Sequence, residues 1–327
     1  MSATGRRTAP RFPACTAQFP EKCTAYLMGQ YGVQAGDPRT CDDAARVLSR
    51  AFTGRHRPDV LDRGTFTDAT GLANTVWFAY WLDPARHRAW VAEGRRPGAV
   101  PSAGTWWEES LVPTDSVETL HTHQQADLPT GGLAQVLPQH LTAQHDYWGA
   151  ARDRIKGTPS GEAPRAVRHV RGNSVHVTVQ GELCLIRTAQ DWSRSTAFRD
   201  RYLRDVHPVK RKGVAYLAQH HAATGCLCVR EIDETDEDGR ALDRSCTLAW
   251  FASLDHLLTW THSHKSHLDI YRSFFTVAAD ITAPLDVAFW HEVCVLPSGA
   301  VHAEYTNCHP GTGLLPLARP LATAPES

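Results

Sequence analysis

The 327-residue chain has no surplus of either charge: 34 Lys and Arg stand against 35 Asp and Glu, for a formal net charge of −1. Nucleic acid and anionic membrane are therefore excluded as default partners. No apolar run reaches the length of a membrane-spanning helix. Met1 to Ala17 carries basic residues without an apolar stretch, so a secretory signal is not expected. The Arg6-Arg7 pair likewise lacks the hydrophobic segment that twin-arginine export needs. Nine cysteines are scattered with no C-x-x-C pair among them. That excludes zinc ribbons, dithiol redox motifs and covalent cofactor attachment through paired thiols, and leaves small buried hydrophobes in a reducing, cytoplasmic setting. What is present is apolar residue: at 42% hydrophobic, the chain can bury a sizeable core.

Turn and breaker residues divide it. Residues 1–24, rich in Pro, Thr and basic side chains, read as an N-terminal arm. Ala25 to Gln34 reads as a strand. Asp37-Pro38 opens a helix with Ala44, Val47, Leu48, Ala51 and Phe52 on one face. Residues 54–72 read as a loop. Asn74 to Leu82 is rich in β formers, and Asp83-Pro84 caps a helix through Trp90. Strands near 105–111 and 116–123 flank a Pro113-Thr114-Asp115 turn and are expected to pair as a hairpin. A connection at 157–164 leads into strands within 167–179 and 182–188. A helical region follows from Ser193 to Gly225, interrupted at Pro208. Cys226–Ile232 and Ser245–Phe251 form a hairpin around Asp236-Glu237-Asp238-Gly239. One amphipathic helix starts at Ser253, and strands near 287–296 and 300–307 flank Pro297-Ser298-Gly299.

A weak internal repeat runs through this pattern. Tyr80-Trp81-Leu82-Asp83, with Trp90 following, matches Trp250-Phe251-Ala252-Ser253 with Trp260 following. Trp106-Trp107-Glu108-Glu109, with Pro113 and Val117, resembles Phe289-Trp290-His291-Glu292 with Pro297 and Val301. Each half reads as strand, capped helix and Pro-turn hairpin, a β-α-β-β unit used twice. The fold class is therefore α+β, with antiparallel sheets curling into a barrel-like core flanked by helices. The halves span 25–156 and 157–318, with a tail at 319–327.

The helix from Ser253 gathers His262, His264 and His267, and the apolar strand beyond it carries His291. His264 and His267 share a helix face. A surface cluster stabilised by the helix C-terminus is one reading. A zinc site completed by His291 and His309 is another, since spacing alone does not exclude it. A third is an imidazole from a helix and an imidazole from a strand facing one buried ligand, a haem, from opposite sides. His121 and His123 share a strand face that reads as exposed. Tyr31, Trp77, Trp107, Trp148 and Phe274 read either as aromatic core or as cavity lining.

Six segments decide between these readings. They are Met28-Gly29-Gln30-Tyr31-Gly32-Val33-Gln34, His145-Asp146-Tyr147-Trp148-Gly149 running to Arg154, and Leu185-Ile186-Arg187-Thr188-Ala189-Gln190-Asp191-Trp192. The others are Ser263-His264-Lys265-Ser266-His267-Leu268, Trp290-His291-Glu292-Val293, and Glu304-Tyr305-Thr306-Asn307-Cys308-His309-Pro310-Gly311-Thr312-Gly313. In this order they resemble the haem-containing aldoxime dehydratases, the phenylacetaldoxime dehydratase family, over nearly the whole chain. The resemblance implies two ferredoxin-like halves around a haem pocket, haem b active in its ferrous form, and a homodimer. It implies a small aldoxime, R-CH=N-OH, as substrate, dehydrated to a nitrile. By the same resemblance His267 is the proximal iron ligand and His291 the distal general acid. Glu118 is the carboxylate beside His291. Arg154 is the pocket arginine, with Arg152 the alternative. Thr188 stands where well-known members have a serine; it keeps the hydroxyl and adds a methyl and a stiffer χ1. That departure opens a second reading, a haem enzyme acting on another N–O or N–N compound. A third is a haem-binding sensor without turnover.

Overall fold

The computed structural model describes residues 14–122, 131–142, 151–196, 198–280 and 286–318. In chain order the strands are β1 (Cys15–Ala17), β2 (Ala25–Ala35), β3 (Val60–Thr67), β4 (Ala73–Trp81), β5 (Gly104–Pro113), β6 (Val117–His121) and β7 (Gln139–Leu141). They continue with β8 (Arg165–Arg171), β9 (Ser174–Gln180), β10 (Leu183–Asp191), β11 (Cys226–Thr235), β12 (Ala241–Phe251), β13 (Ala288–Leu296) and β14 (Val301–Thr306). The helices are α1 (Pro38–Ser49), α2 (Pro84–Ala92), α3 (Arg199–Arg201), α4 (His207–Gln219), α5 (His221–Thr224), α6 (Leu254–Ser263) and α7 (Lys265–Asp280). None among the described residues is long and apolar enough to cross a membrane.

Local chemistry sets the helix starts. Asp37 accepts from the Thr40 amide at 3.0 Å and Asp83 from Ala85 at 2.8 Å, each followed by a proline in the first turn. Ser253 accepts from the His256 amide at 3.3 Å. Pro208 does not interrupt its helical region. It sits in the first turn of α4, and the irregularity falls directly before it as a π-helical turn at Tyr202–Val206. The helix from Ser253 is two: it ends at His264, whose backbone is extended, and α7 begins at Lys265.

The fourteen strands of the described residues form one antiparallel sheet, ordered β7-β1-β6-β13-β10-β12-β11-β3-β4-β2-β5-β14-β9-β8. Within it, β5-β2-β4-β3 and β13-β10-β12-β11 follow the same order, with the first strand of each unit between its fourth and third. Residues 60–67 are strand, not loop. Few of them are apolar, so pairing decides. Gly64 lets the strand lie against Ile232, and β3 joins the two units by pairing Asp233 with Thr65. Neither Pro-turn hairpin pairs with itself. β5 lies between β2 and β14, while β6 lies between β13 and β1. A turn signal fixes the reversal, not the partner. Here the strand that follows each unit, β6 or β14, crosses to pair with the other unit's β13 or β5.

The two units' inner faces share one core, with Tyr80, Trp106, Trp250 and Trp290 at its centre. Two buried ion clusters stitch it. Arg187 donates to Asp62 at 2.7 Å and to the Tyr80 hydroxyl at 3.1 Å; Arg230 grips Glu108 at 2.6 and 2.8 Å. Helices α1 and α2 cover the first unit's outer face, filled by Tyr31, Phe52, Trp77, Trp81 and Trp90. On the second unit α4 and α6 lie on the sheet, and α7 rests chiefly on α4, on α6 and on the π-helical turn.

Candidate active site

In β13 the side chains alternate. Trp290 joins the shared inner core and Glu292 meets Tyr80 there. His291 therefore projects from the helix-covered side. Register fixes its neighbours. Across the sheet, Leu120, His291, Thr188, Thr247 and Glu231 stand opposite one another on successive strands. Paired residues of an antiparallel ladder share a face, so this is one row on one surface.

His291 Nε2 lies 2.5 Å from Glu118 Oε1. Arg154 follows the short helical turn Ala151–Asp153 and brings Nε to 2.7 Å from Glu118 Oε2 and Nη2 to 3.3 Å from Oε1. The three side chains are 4%, 2% and 6% exposed, so Glu118 bridges two partners out of water. Burial opposes its charge, but the His291 imidazole and the Arg154 guanidinium outweigh it and hold the carboxyl at about 2. An ionised carboxylate only accepts, so His291 donates through Nε2 and Nδ1 is its other nitrogen. Thr188, half-buried, faces His291 across the ladder, and its hydroxyl donates to the Trp290 carbonyl at 3.3 Å. Arg152 points away and pairs with exposed Asp255, so Arg154 is the arginine beside Glu118.

The facing wall is α7. Spacings of three and four place His267, Ile270, Phe274 and Val277 on one stripe. Phe274 stacks edge-on against Phe289, two residues before His291, with centroids 5.0 Å apart, so the stripe faces the sheet side that carries the row. Gly213 of α4 brings α7 close: a Cβ there would sit 2.8 Å from Ile270 Cδ1. The His267 ring packs edge-on against Trp260 at 4.7 Å. Burial pushes its pKa down to about 4, while a hydrogen bond to the Thr261 carbonyl works the other way. That bond fixes one ring nitrogen as donor, and the neutral ring keeps the lone pair a metal needs on the second.

Other sequence candidates separate from this place. His262 is exposed, and His264 bonds Ser266 and stacks on Tyr216. His309 accepts from Gly311 in a surface turn. No three His, Cys, Asp or Glu gather as a metal cluster among the described residues, which removes the zinc arrangement there. Tyr31, Trp77 and Trp107 belong to the first unit's outer core, and Trp148 and His123 lie outside the described residues. His121 is fully buried, not exposed. It stacks on Trp290, burial pushes its pKa down to about 3, and neither ring nitrogen has a hydrogen-bond partner among the described residues. The Asn307–Gly313 motif is a latch. Gln34 holds the His309 amide and Thr312, and Gly313, at φ +53°, has no Cβ to strike Glu108. This lets Leu314 donate to the Tyr305 hydroxyl, which donates to Glu108 at 2.7 Å.

Sequence reasoning missed the far end of the row. Thr247 donates to Glu231 at 2.8 Å, and buried Lys210 reaches Glu231, Gln190 and Ser245. Only strand register brings these residues together, and no local signal carries it.

The model for the haem-containing dehydratase family matches residues 29–314. A phenylacetaldoxime dehydratase of Bacillus sp. (strain OxB-1) is 33% identical, the match covering 94% of this chain and 92% of that protein. An aliphatic aldoxime dehydratase of Rhodococcus erythropolis is 31% identical, over 94% and 91%. Among solved structures, an aldoxime dehydratase in complex with butyraldoxime aligns with a TM-score of 0.85 at 30% identity, covering 95% of this chain and 90% of that one. A second aldoxime dehydratase structure gives 0.84 at 29%, covering 98% and 95%.

Proposed function

The chain belongs to the haem-containing dehydratase family, and on that footing we propose that it dehydrates aldoximes to nitriles between α7 and the His291 row. The observation that carries the reading is the buried Glu118 that bridges His291 and Arg154. The residues fit a haem. His267 is neutral and tautomer-fixed, and α7 presents its apolar stripe toward the sheet from its seat on α4 and α6. His267 would hold the iron from that side, with His291, Thr188 and Arg154 opposite. The repeated strand order supports reading residues 25–156 and 157–318 as ferredoxin-like halves of one haem-binding domain.

When bound, ferrous haem supplies an open iron site for the oxime nitrogen and electron density that weakens the N–O bond. The chain does the rest. Hydroxide leaves poorly, so His291 gives a proton to the oxime oxygen, and the N–O electron pair departs with water. A well-placed acid of this kind contributes ~10²–10⁴-fold. Glu118 accepts from Nε2, which fixes the ring that exchanges its proton with substrate. Arg154 holds Glu118 in place and keeps it ionised. Thr188, opposite His291, orients the oxime hydroxyl. The imidazole then takes the carbon-bound proton, closing R–C≡N and restoring the acid.

The test is anaerobic turnover of the reduced, haem-loaded protein with phenylacetaldoxime and a butyl aldoxime, read as nitrile formed. Nitrile from either supports the reading. Full haem loading without nitrile across aryl and alkyl substrates refutes it.

A further inference from the structure

We propose that Lys210 is a positioning residue that sets the spacing between α7 and the His291 row. This rests on the reading that α7 carries the proximal ligand. Helix α7 is seated on α4, and α4 is seated on β11. How α4 is pinned therefore decides how far His267 stands from the sheet. Lys210 does the pinning. It is 7% exposed, and its ammonium reaches three strands at once: Gln190 of β10 at 2.7 Å, Ser245 of β12 at 3.2 Å and Glu231 of β11 at 2.8 Å. An ammonium buried this deeply is held by its partners, because losing them strands a charge out of water.

The pin joins the row itself. Glu231 also accepts from Thr247 at 2.8 Å, Thr247 stands opposite Thr188, and Thr188 stands opposite His291. One ion pair, Lys210 to Glu231, thus connects α4 to the row. Along α4, one turn on from Lys210, Gly213 admits Ile270 and the Ser266 carbonyl of α7. The charged pin and the close helix approach lie on adjacent turns, so a shift at one is felt at the other. His207, a turn earlier, lies 3.9 Å from Glu231 and adds no short bond.

The test uses full-length, haem-loaded Lys210→Met. Besides turnover it reads the rate of haem loss to an apomyoglobin acceptor, the C–O stretch of the ferrous carbonyl complex, and the thermal midpoint. We expect haem loss to quicken by about tenfold and the C–O band to shift or broaden. Arg96→Met breaks a more exposed ion pair just beyond α2, where Arg96 reaches Glu109 at 2.6 Å. It should lower the midpoint and leave both haem readings unchanged. Lys210→Met behaving as Arg96→Met does would overturn the proposal. Glu231→Gln, which keeps a hydrogen-bond partner, should move both haem readings the same way by less, and it decides alone if Lys210→Met does not fold. His267→Ala separates the two ideas. If it leaves the haem spectrum intact, the reading of α7 fails; if it removes haem while Lys210→Met and Glu231→Gln change neither haem reading, only the strut fails.

Discussion

Glu118→Gln is the sharpest perturbation of the proposed site, because it alters charge at nearly constant shape. Wild-type Glu118 accepts from His291 at 2.5 Å and from Arg154 at 2.7 Å, with all three side chains under 7% exposed. Arg154 has no acceptor capacity, so it claims the Gln oxygen and turns the amide nitrogen toward His291. Two donors would then meet unless His291 moves its proton to Nδ1 and stays neutral. The variant should therefore lose most of the acid's contribution, ~10²–10⁴-fold in kcat, while haem bound through His267 stays. It should also lose stability. A charge left without its buried partner costs roughly 3–5 kcal/mol. The pH dependence gives a second estimate. The carboxyl lies at about 2 in the fold against an ordinary 4.5, a difference worth about 3 kcal/mol. Its folded value is depressed, so that stability is whole above 4.5 and drains as pH falls toward 2. Glu118→Gln should flatten that part of the acid limb. The assay is single-turnover nitrile formation by the reduced protein, with chemical denaturation at several pH values. A double variant with His291→Ala closes the argument: removing His291 should leave Glu118→Gln little further to cost. Independent, multiplying losses, or kcat within about twofold of wild type, would refute the reasoning.

Four further outcomes follow from other contacts. His267→Ala should bind no haem, whereas His291→Ala should bind it with an unaltered ferrous spectrum and lose turnover; absorption spectra and nitrile yield distinguish them. Thr188→Ser removes a methyl opposite His291 and should raise aldoxime kcat; an unchanged value with activity on a hydroxylamine would instead favour a different N–O substrate. Gly313→Ala forces a Cβ into the Glu108 carboxylate at a left-handed φ of +53° and should cost upward of about 2 kcal/mol in denaturant melts. His121→Leu replaces a buried histidine held at about 3, against an ordinary 6.5. The unfolded chain takes up that proton as pH falls below 6.5 and the fold does not. Between pH 7 and pH 5 wild type should thus lose about 2 kcal/mol more than the variant.

What was legible in the sequence was local. Asp37-Pro38, Asp83-Pro84 and Ser253 announce helix starts because a capping oxygen and the amide it serves lie within three residues. The run of β formers from Asn74 to Leu82 announces a strand, and Ala25 to Gln34 reads as another; both form, as Ala73–Trp81 and Ala25–Ala35. His291 stands out as a lone imidazole on an apolar strand, but Glu118, Arg154 and Thr188 are singled out only through resemblance to a family. Their meeting depends on β6 pairing with β13 and β13 with β10, and no spacing encodes that. Thr247 and Glu231 look like an ordinary β residue and a surface charge until register sets them in the row, and Lys210 like another surface charge until α4 packs onto β11. Strand β3 was hidden for the opposite reason. Its polar residues are consumed by long-range partners, Asp62 by Arg187 and Arg63 by Thr235.

The shared strand order raises the question of why the first unit has no matching site. Trp106 and Glu108 of β5 occupy the inner core as Trp290 and Glu292 do in β13. On that structural correspondence, one residue off the match read from the sequence, Trp107 and not Glu108 stands where His291 stands, and its partner across the ladder is Tyr31 where His291 faces Thr188. Two large rings fill the space that an imidazole and a small hydroxyl leave. Phe52 and Trp90 pack onto Tyr31, with centroids 5.3 and 5.4 Å away. The nearby Glu109 is spent on His87, Arg96 and the Tyr31 hydroxyl. Helix α2 runs straight on toward β5, whereas the second unit inserts α7 between α6 and β13. Among the described residues the second unit alone thus combines small polar residues on the sheet with an added helix held off it, and that combination is why the proposed site lies there.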